Sequence, residues 1–164
     1  YYNGKPLEDL VDFNMKCIDV YLWKKFNLNN NAFNELVGSG NLALISNDSI
    51  KNGLLNLESI NDNLKLNEEH FRYDTENLLY EPVFELLDMY PTVESFSFHV
   101  SNGAQGIDKE LPRKDFEALI KSKKHKNGMA LAIYELEAMR TTFENMKSLV
   151  TALITLIEEE IEKG

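Results

Sequence analysis

The sequence predicts an all-α fold: an elongated antiparallel bundle of three to four helices, two of them long, with short helices and an extended crossover at about 92–112. Three observations predict it. Over most of the 164 residues, apolar side chains recur every three to four positions, the spacing that puts them on one face of a helix. Two lines of apolar residues keep a seven-residue interval, Ile50, Leu57, Leu64, Phe71 and Leu78, then Met129, Leu136, Phe143, Val150 and Ile157, as in the seam of a coiled coil. One short run, Phe96, Phe98 and Val100 between serines and His99, alternates instead with a period of two, and no second strand is visible to pair with it.

Composition bounds the function. The hydrophobic share of 43% and charged share of 27% are those of a folded chain, read as one helical domain over 1–164. The net charge of −10 opposes binding to nucleic acid or to anionic lipid head groups, both of which need clustered Lys and Arg. The single cysteine, Cys17, excludes an internal disulfide. With Met15, Ile18, Val20 and Tyr21 around it, Cys17 reads as a small packing residue, a reactive thiol being the alternative. No run of eighteen apolar residues occurs, so no membrane span lies in these residues. The chain opens Tyr1-Tyr2 without Met and reads as a piece of a longer product, which an anchoring segment could precede.

In order, Leu7, Val11, Met15, Ile18, Leu22 and Phe26 form one helical stripe, widened by Leu10, Tyr21 and Trp23, which predicts helix one over about 5–26 with Pro6 in its first turn. The asparagines of 27–31 break it. Residues 32–37 make a short helix stopped by Gly38 or Gly40, with Leu42, Leu44 and Ile45 tucked beneath. Ser46-Asn47-Asp48-Ser49 offers four N-caps for the long helix from 48 to 80. Pro82 predicts a kink, with two more turns over 83–90 ending before Pro91. Residues 92–112 form the crossover, with sharp turns at Asn102-Gly103 and Gln105-Gly106. Pro112 opens a short helix, 113–121. The basic run KSKKHK at 121–126 reads as a solvated turn, an acidic partner being the alternative. The last helix covers about 127–163, with a second line at Ala132, Met139, Met146 and Leu153. Packing within the bundle and a dimer seam both satisfy these heptads.

An echo links two stretches, about 31–60 and 114–140. Phe33, Leu36, Val37 and Ser39 match Phe116, Leu119, Ile120 and Ser122, and Lys51-Asn52-Gly53 matches Lys126-Asn127-Gly128. Chance between similar hairpins and a degenerate duplication both account for it.

Chemistry is sparse. His70, His99 and His125 share no spacing, and Glu68, Glu69, His70 and Asp74 lack the Glu-x-x-His pairing of a di-metal bundle. No phosphate loop, nucleophile elbow or Cys–His arrangement is present. The sequence thus points to no catalytic residue, cofactor or metal ligand. Met129, Met139, Met146 and Phe143 read as core filling, with an apolar ligand groove as the alternative. The crossover, with Phe96, Phe98 and His99, is the candidate binding surface.

The segment AFNELVGSGNLALISNDSIKNGLLNL resembles a family of uncharacterised proteins of Gram-negative bacteria, in which a basic N-terminus and one membrane span precede a helical domain. Phe33, Leu36, Ser39, Gly40, Leu42, Leu44, Ile45 and Asn47 carry its central pattern, and Phe116, Leu119, Leu156, Ile157, Glu160 and Ile161 its later parts. The resemblance implies a periplasmic domain anchored at the inner membrane through an N-terminal span, and it brings no activity. Three readings follow: an interaction or sensing domain with a protein partner or a second copy; a bundle holding a small apolar or amphipathic ligand; and an enzyme with carboxylates facing one another in its core.

Overall fold

The computed structural model describes residues 2–22 and 24–163, and among them every regular element is helical. Trp23, expected on the first stripe, and Tyr1 lie outside the described residues. The elements are α1 (Leu10–Asp19), α2 (Asn31–Gly38), a 3-10 helix (Asn41–Leu44), α3 (Asp48–Thr75), a π turn (Glu76–Tyr80), α4 (Glu81–Leu86), α5 (Met89–Val100), α6 (Arg113–Lys121) and α7 (Lys123–Glu162).

The chain divides into two compact units, one joining Tyr1–Lys24 with Phe71–Tyr134 and the other Lys25–His70 with Glu135–Gly164. In the first unit, α1 packs on α5 and α4 on α6. Leu7, Phe13, Val83, Leu87, Leu111, Phe116 and Leu119 fill its core. The second unit holds an antiparallel helix pair: Asn47 meets Glu160, Gly53 lies against Leu153, and His70 meets Glu135. Its buried residues include Ile50, Leu64, Met139, Met146 and Leu153.

Three expectations need correction. Helix one is far shorter than 5–26. Asp9 caps it by accepting from the Asp12 N–H at 3.0 Å, so helix starts at Leu10 rather than beside Pro6. Leu7 stays outside the helix, buried in the core, and its carbonyl is taken by the Arg113 guanidinium. At the other end, the chain turns at Val20 and Tyr21. Phe26 instead sets its ring against Phe143 and its N–H on Glu68. Tertiary partners outweigh the continued periodicity.

The crossover is the second correction: its first part is helix α5. Asp88 accepts from the Tyr90 N–H, and the Thr92 hydroxyl donates to the Asp88 carbonyl. Pro91 sits in the first turn, where its missing N–H costs nothing. A lone strand would leave its backbone groups unpaired, whereas a helix pairs them internally. Only the segment after Val100 is irregular, and its sharp turns stand as expected, with Asn102, Gly103 and Gly106 at positive φ. Third, Pro82 gives more than a kink. Lacking an N–H, it follows a π turn with one residue more than α geometry needs. The helix then ends at Leu86, and α5 starts anew at Met89.

Other expectations hold. Gly40 takes the left-handed conformation after α2, and Asn47 Oδ1 accepts from the N–H groups of Ser49 and Ile50 at the start of α3. α6 has the expected bounds. Along α7 it is the second line, Ala132, Met139, Met146 and Leu153, that is buried, while Leu136, Phe143 and Ile157 keep a third or more of their surface in water.

Gly53 and Gly128 are each the sixth residue of a long helix, and each lies against a leucine of another helix. The connections differ, however: α2 reaches α3 through a 3-10 helix, α6 reaches α7 through Ser122 alone. A Cβ at Gly128 would sit 2.9 Å from Leu78 Cβ and 3.1 Å from its backbone carbon, neither free to move. At Gly53 it would meet only the Leu153 side chain, nearest at 2.5 Å. Gly128→Ala is therefore expected to destabilise by about 1–3 kcal/mol. Gly53→Ala is expected to be near neutral, because alanine returns about 1 kcal/mol of helix propensity. Urea denaturation followed by circular dichroism checks both, and equal losses would contradict the distinction.

Candidate functional site

The first unit contains an apolar cavity of about 260 Å³. Its walls come from four places in sequence: Asn14, Cys17, Ile18 and Tyr21 around α1; Tyr80, Val83, Phe84 and Leu87 from the π turn and α4; Met89, Thr92 and Val93 from α5; Phe116 and Leu119 from α6. Phe84 is 66% exposed and Val93 47%, so the cavity has an apolar rim in water.

The π turn shapes one wall. The extra residue before Pro82 ends the turn at Tyr80, whose ring packs 4.9 Å from that of Tyr21 and edge-on to Phe84. The Tyr80 hydroxyl donates to the Tyr21 carbonyl at 3.1 Å, satisfying a carbonyl beyond the end of α1. The Asn14 amide, 1% exposed and also in the wall, donates to the Thr92 carbonyl at 3.0 Å and so ties α1 to α5.

Beside the cavity is a buried polar cluster. His125 has no exposed surface. Its Nδ1 lies 2.6 Å from the Tyr2 hydroxyl and its Nε2 3.5 Å from that of Tyr21. A neutral imidazole accepts at one nitrogen and donates at the other, and the short Tyr2 contact fits Nδ1 as the acceptor. His125 stands in the first turn of α7, its N–H on the Ser122 hydroxyl. Burial pushes its pKa down to about 4, and the positive end of the helix acts the same way. Burial also pushes the Cys17 thiol up to about 12. The phenols of Tyr2 and Tyr21 move up, first by burial and then by each one's proximity to Cys17. At neutral pH all four groups are uncharged, so the cluster offers neither a thiolate nor a base poised near pH 7.

The expected site residues lie elsewhere. Phe33 and Leu36 are half-buried on α2, which has no fully buried residue, and Leu44, expected beneath it, is 79% exposed. Leu42 and Ile45 are half-buried. Ser39 bonds the Leu36 carbonyl, Gly40 supplies the turn, and Asn47 both caps α3 and donates to Glu160. That pattern therefore consists of turns and caps in the second unit. Phe96, Phe98 and His99 are half-buried on α5, and His99 Nδ1 is 2.7 Å from the Ser95 carbonyl.

Met139 and Met146 are buried in the second unit and are not among the residues that line the cavity of the first. The basic turn is also corrected: Lys121, Lys123 and Lys126 are exposed as expected, but His125 is buried among tyrosines. Glu68, a buried carboxylate, accepts the Phe26 N–H. Sequence reading missed the cavity because its walls are brought together only by folding. The usable signals were an Asn amid the apolar residues of α1 and a His in a lysine run. No protein-family model, curated protein or solved structure matches the chain.

Proposed function

We propose that this chain is a non-enzymatic helical sensing domain, and that what it senses is a small apolar molecule held in the cavity of the first unit. The cavity carries the reading. Interiors are normally packed to near-crystalline density, and an apolar cavity of about 150 Å³ already takes up benzene. This one is larger, at about 260 Å³, and opens beside two exposed apolar side chains. The uncharged cluster around His125 supports a binding role over a catalytic one.

Exposed apolar side chains along α7 in the second unit, Leu136, Phe143, Ile154, Ile157 and Ile161, support an interaction role beside sensing, with a protein partner or a second copy. The charge of −10 opposes nucleic acid. No helix of the described residues is long and apolar enough to cross a membrane. Placement on the periplasmic side of the bacterial inner membrane rests on the resemblance carried by Phe33, Leu36, Ser39, Gly40 and Asn47, which puts the span N-terminal to the domain.

Toluene tests the cavity. At ten times its dissociation constant it is expected to stabilise the protein by about 1.4 kcal/mol, or roughly 3–6 °C in Tm for a chain of this size. Val93→Trp, which places an indole over the rim, is expected to abolish that shift. Scanning calorimetry reads both. An unchanged Tm for the parent protein, or an equal shift in the variant, would remove the cavity reading.

A further inference from the structure

The proposed cavity also restricts its occupant. From the structure we infer that the occupant is an electrically neutral molecule of about ten non-hydrogen atoms carrying one polar group, which bonds to Asn14. This inference rests on the cavity reading above and goes beyond it in naming the ligand class.

Size follows by proportion. Benzene, with six non-hydrogen atoms, is taken up by a cavity of about 150 Å³. A volume of about 260 Å³ therefore suits a chain or ring system of about ten.

Charge follows from the walls. Among the described residues, the lining contains no Lys, Arg, Asp, Glu or His. Cys17 and Tyr21 in the wall, and His125 beside it, are held neutral by burial. A carboxylate or ammonium brought inside would find no counter-charge, and an unpaired ion in an apolar site is strongly disfavoured.

The single polar anchor follows from how the wall's polar groups are already used. The Thr92 hydroxyl donates to the Asp88 carbonyl of its own helix. The Tyr80 hydroxyl donates to the Tyr21 carbonyl, and the Tyr21 hydroxyl faces His125. Asn14 is different. A carboxamide has two donor hydrogens and an acceptor oxygen, and its bond to the Thr92 carbonyl takes one hydrogen. The remaining capacity suits one hydroxyl, carbonyl or ether of a ligand.

The test is isothermal titration calorimetry of the whole chain at pH 7.5 with four probes of one length: octane, 1-octanol, octanoate and octylammonium. Octanol is expected to bind at least tenfold more tightly than either ion. Replacing Asn14→Leu, which keeps the branching and the number of side-chain heavy atoms, is expected to weaken octanol about fivefold, the factor for one neutral hydrogen bond, while octane binding holds or improves. Octanoate or octylammonium binding as tightly as octanol would overturn the neutral-ligand inference and leave the cavity reading standing. Binding of none of the four would overturn both. Octanol binding unchanged in Asn14→Leu would overturn Asn14 as the anchor; should that variant fail to fold, Asn14→Ser replaces it, while the parent protein's ranking of octanol against the two ions decides the charge of the occupant.

Discussion

Truncating Phe116 to alanine is expected to destabilise the protein by about 3–5 kcal/mol, the range for a fully buried aromatic. Phe116 is 1% exposed, lies edge-on to Phe13 with ring centroids 6.0 Å apart, and belongs to the core of the first unit. Its loss would enlarge a cavity that it already lines, so the surroundings have little to collapse with. Its counterpart in the echo gives the contrast. Phe33 is only half-buried, on a helix with no fully buried residue, and Phe33→Ala is expected to cost about 1 kcal/mol. Urea denaturation of the two variants measures the difference. Equal losses would mean that the two aromatics play the same part, and the asymmetry drawn from their burial would be wrong.

Acid is expected to weaken the fold through His125. Its pKa is about 4 in the folded chain against the ordinary 6.5, so the unfolded chain takes up the proton first as pH falls. The stability tied to neutral His125 is complete above pH 6.5 and is lost progressively down to pH 4. A depression of this size corresponds to about 3 kcal/mol over that window. Carboxylates add their own acid dependence, so the informative comparison is with His125→Gln, which keeps an amide donor and acceptor but does not titrate. Urea midpoints at pH 7.5, 5.5 and 4.5 are expected to fall more steeply for the parent protein than for the variant. Parallel curves would show that His125 is not held neutral.

The all-helical character was legible because it is local. Heptad lines such as Ile50 to Leu78 state a period wherever they occur, and the cap at Asn47 and the stop at Gly40 act within a few residues of themselves. α6 was legible down to its ends for the same reason. The failures share the opposite property. Helix one stops early because Tyr21 and Phe26 find partners at Tyr80, Glu68 and Phe143, far along the chain. The alternation at Phe96 and Phe98 misled because no segment among the described residues offers a strand edge, and a helix then satisfies the backbone at lower cost.

The candidate site was almost invisible beforehand, for the same reason. Asn14, Cys17, Tyr80, Thr92 and Phe116 share no motif and meet only when α1, the π turn, α5 and α6 pack together. His125 looked like part of a solvated lysine run until Tyr2 and Tyr21 closed over it. By itself, then, the sequence determined the helices, their caps and their stops, because hydrogen bonding along the backbone and apolar period are short-range. Only the tertiary structure decided which faces are buried, where the packing leaves a cavity, and which titratable groups lose their charge, because burial and desolvation depend on residues distant in the chain.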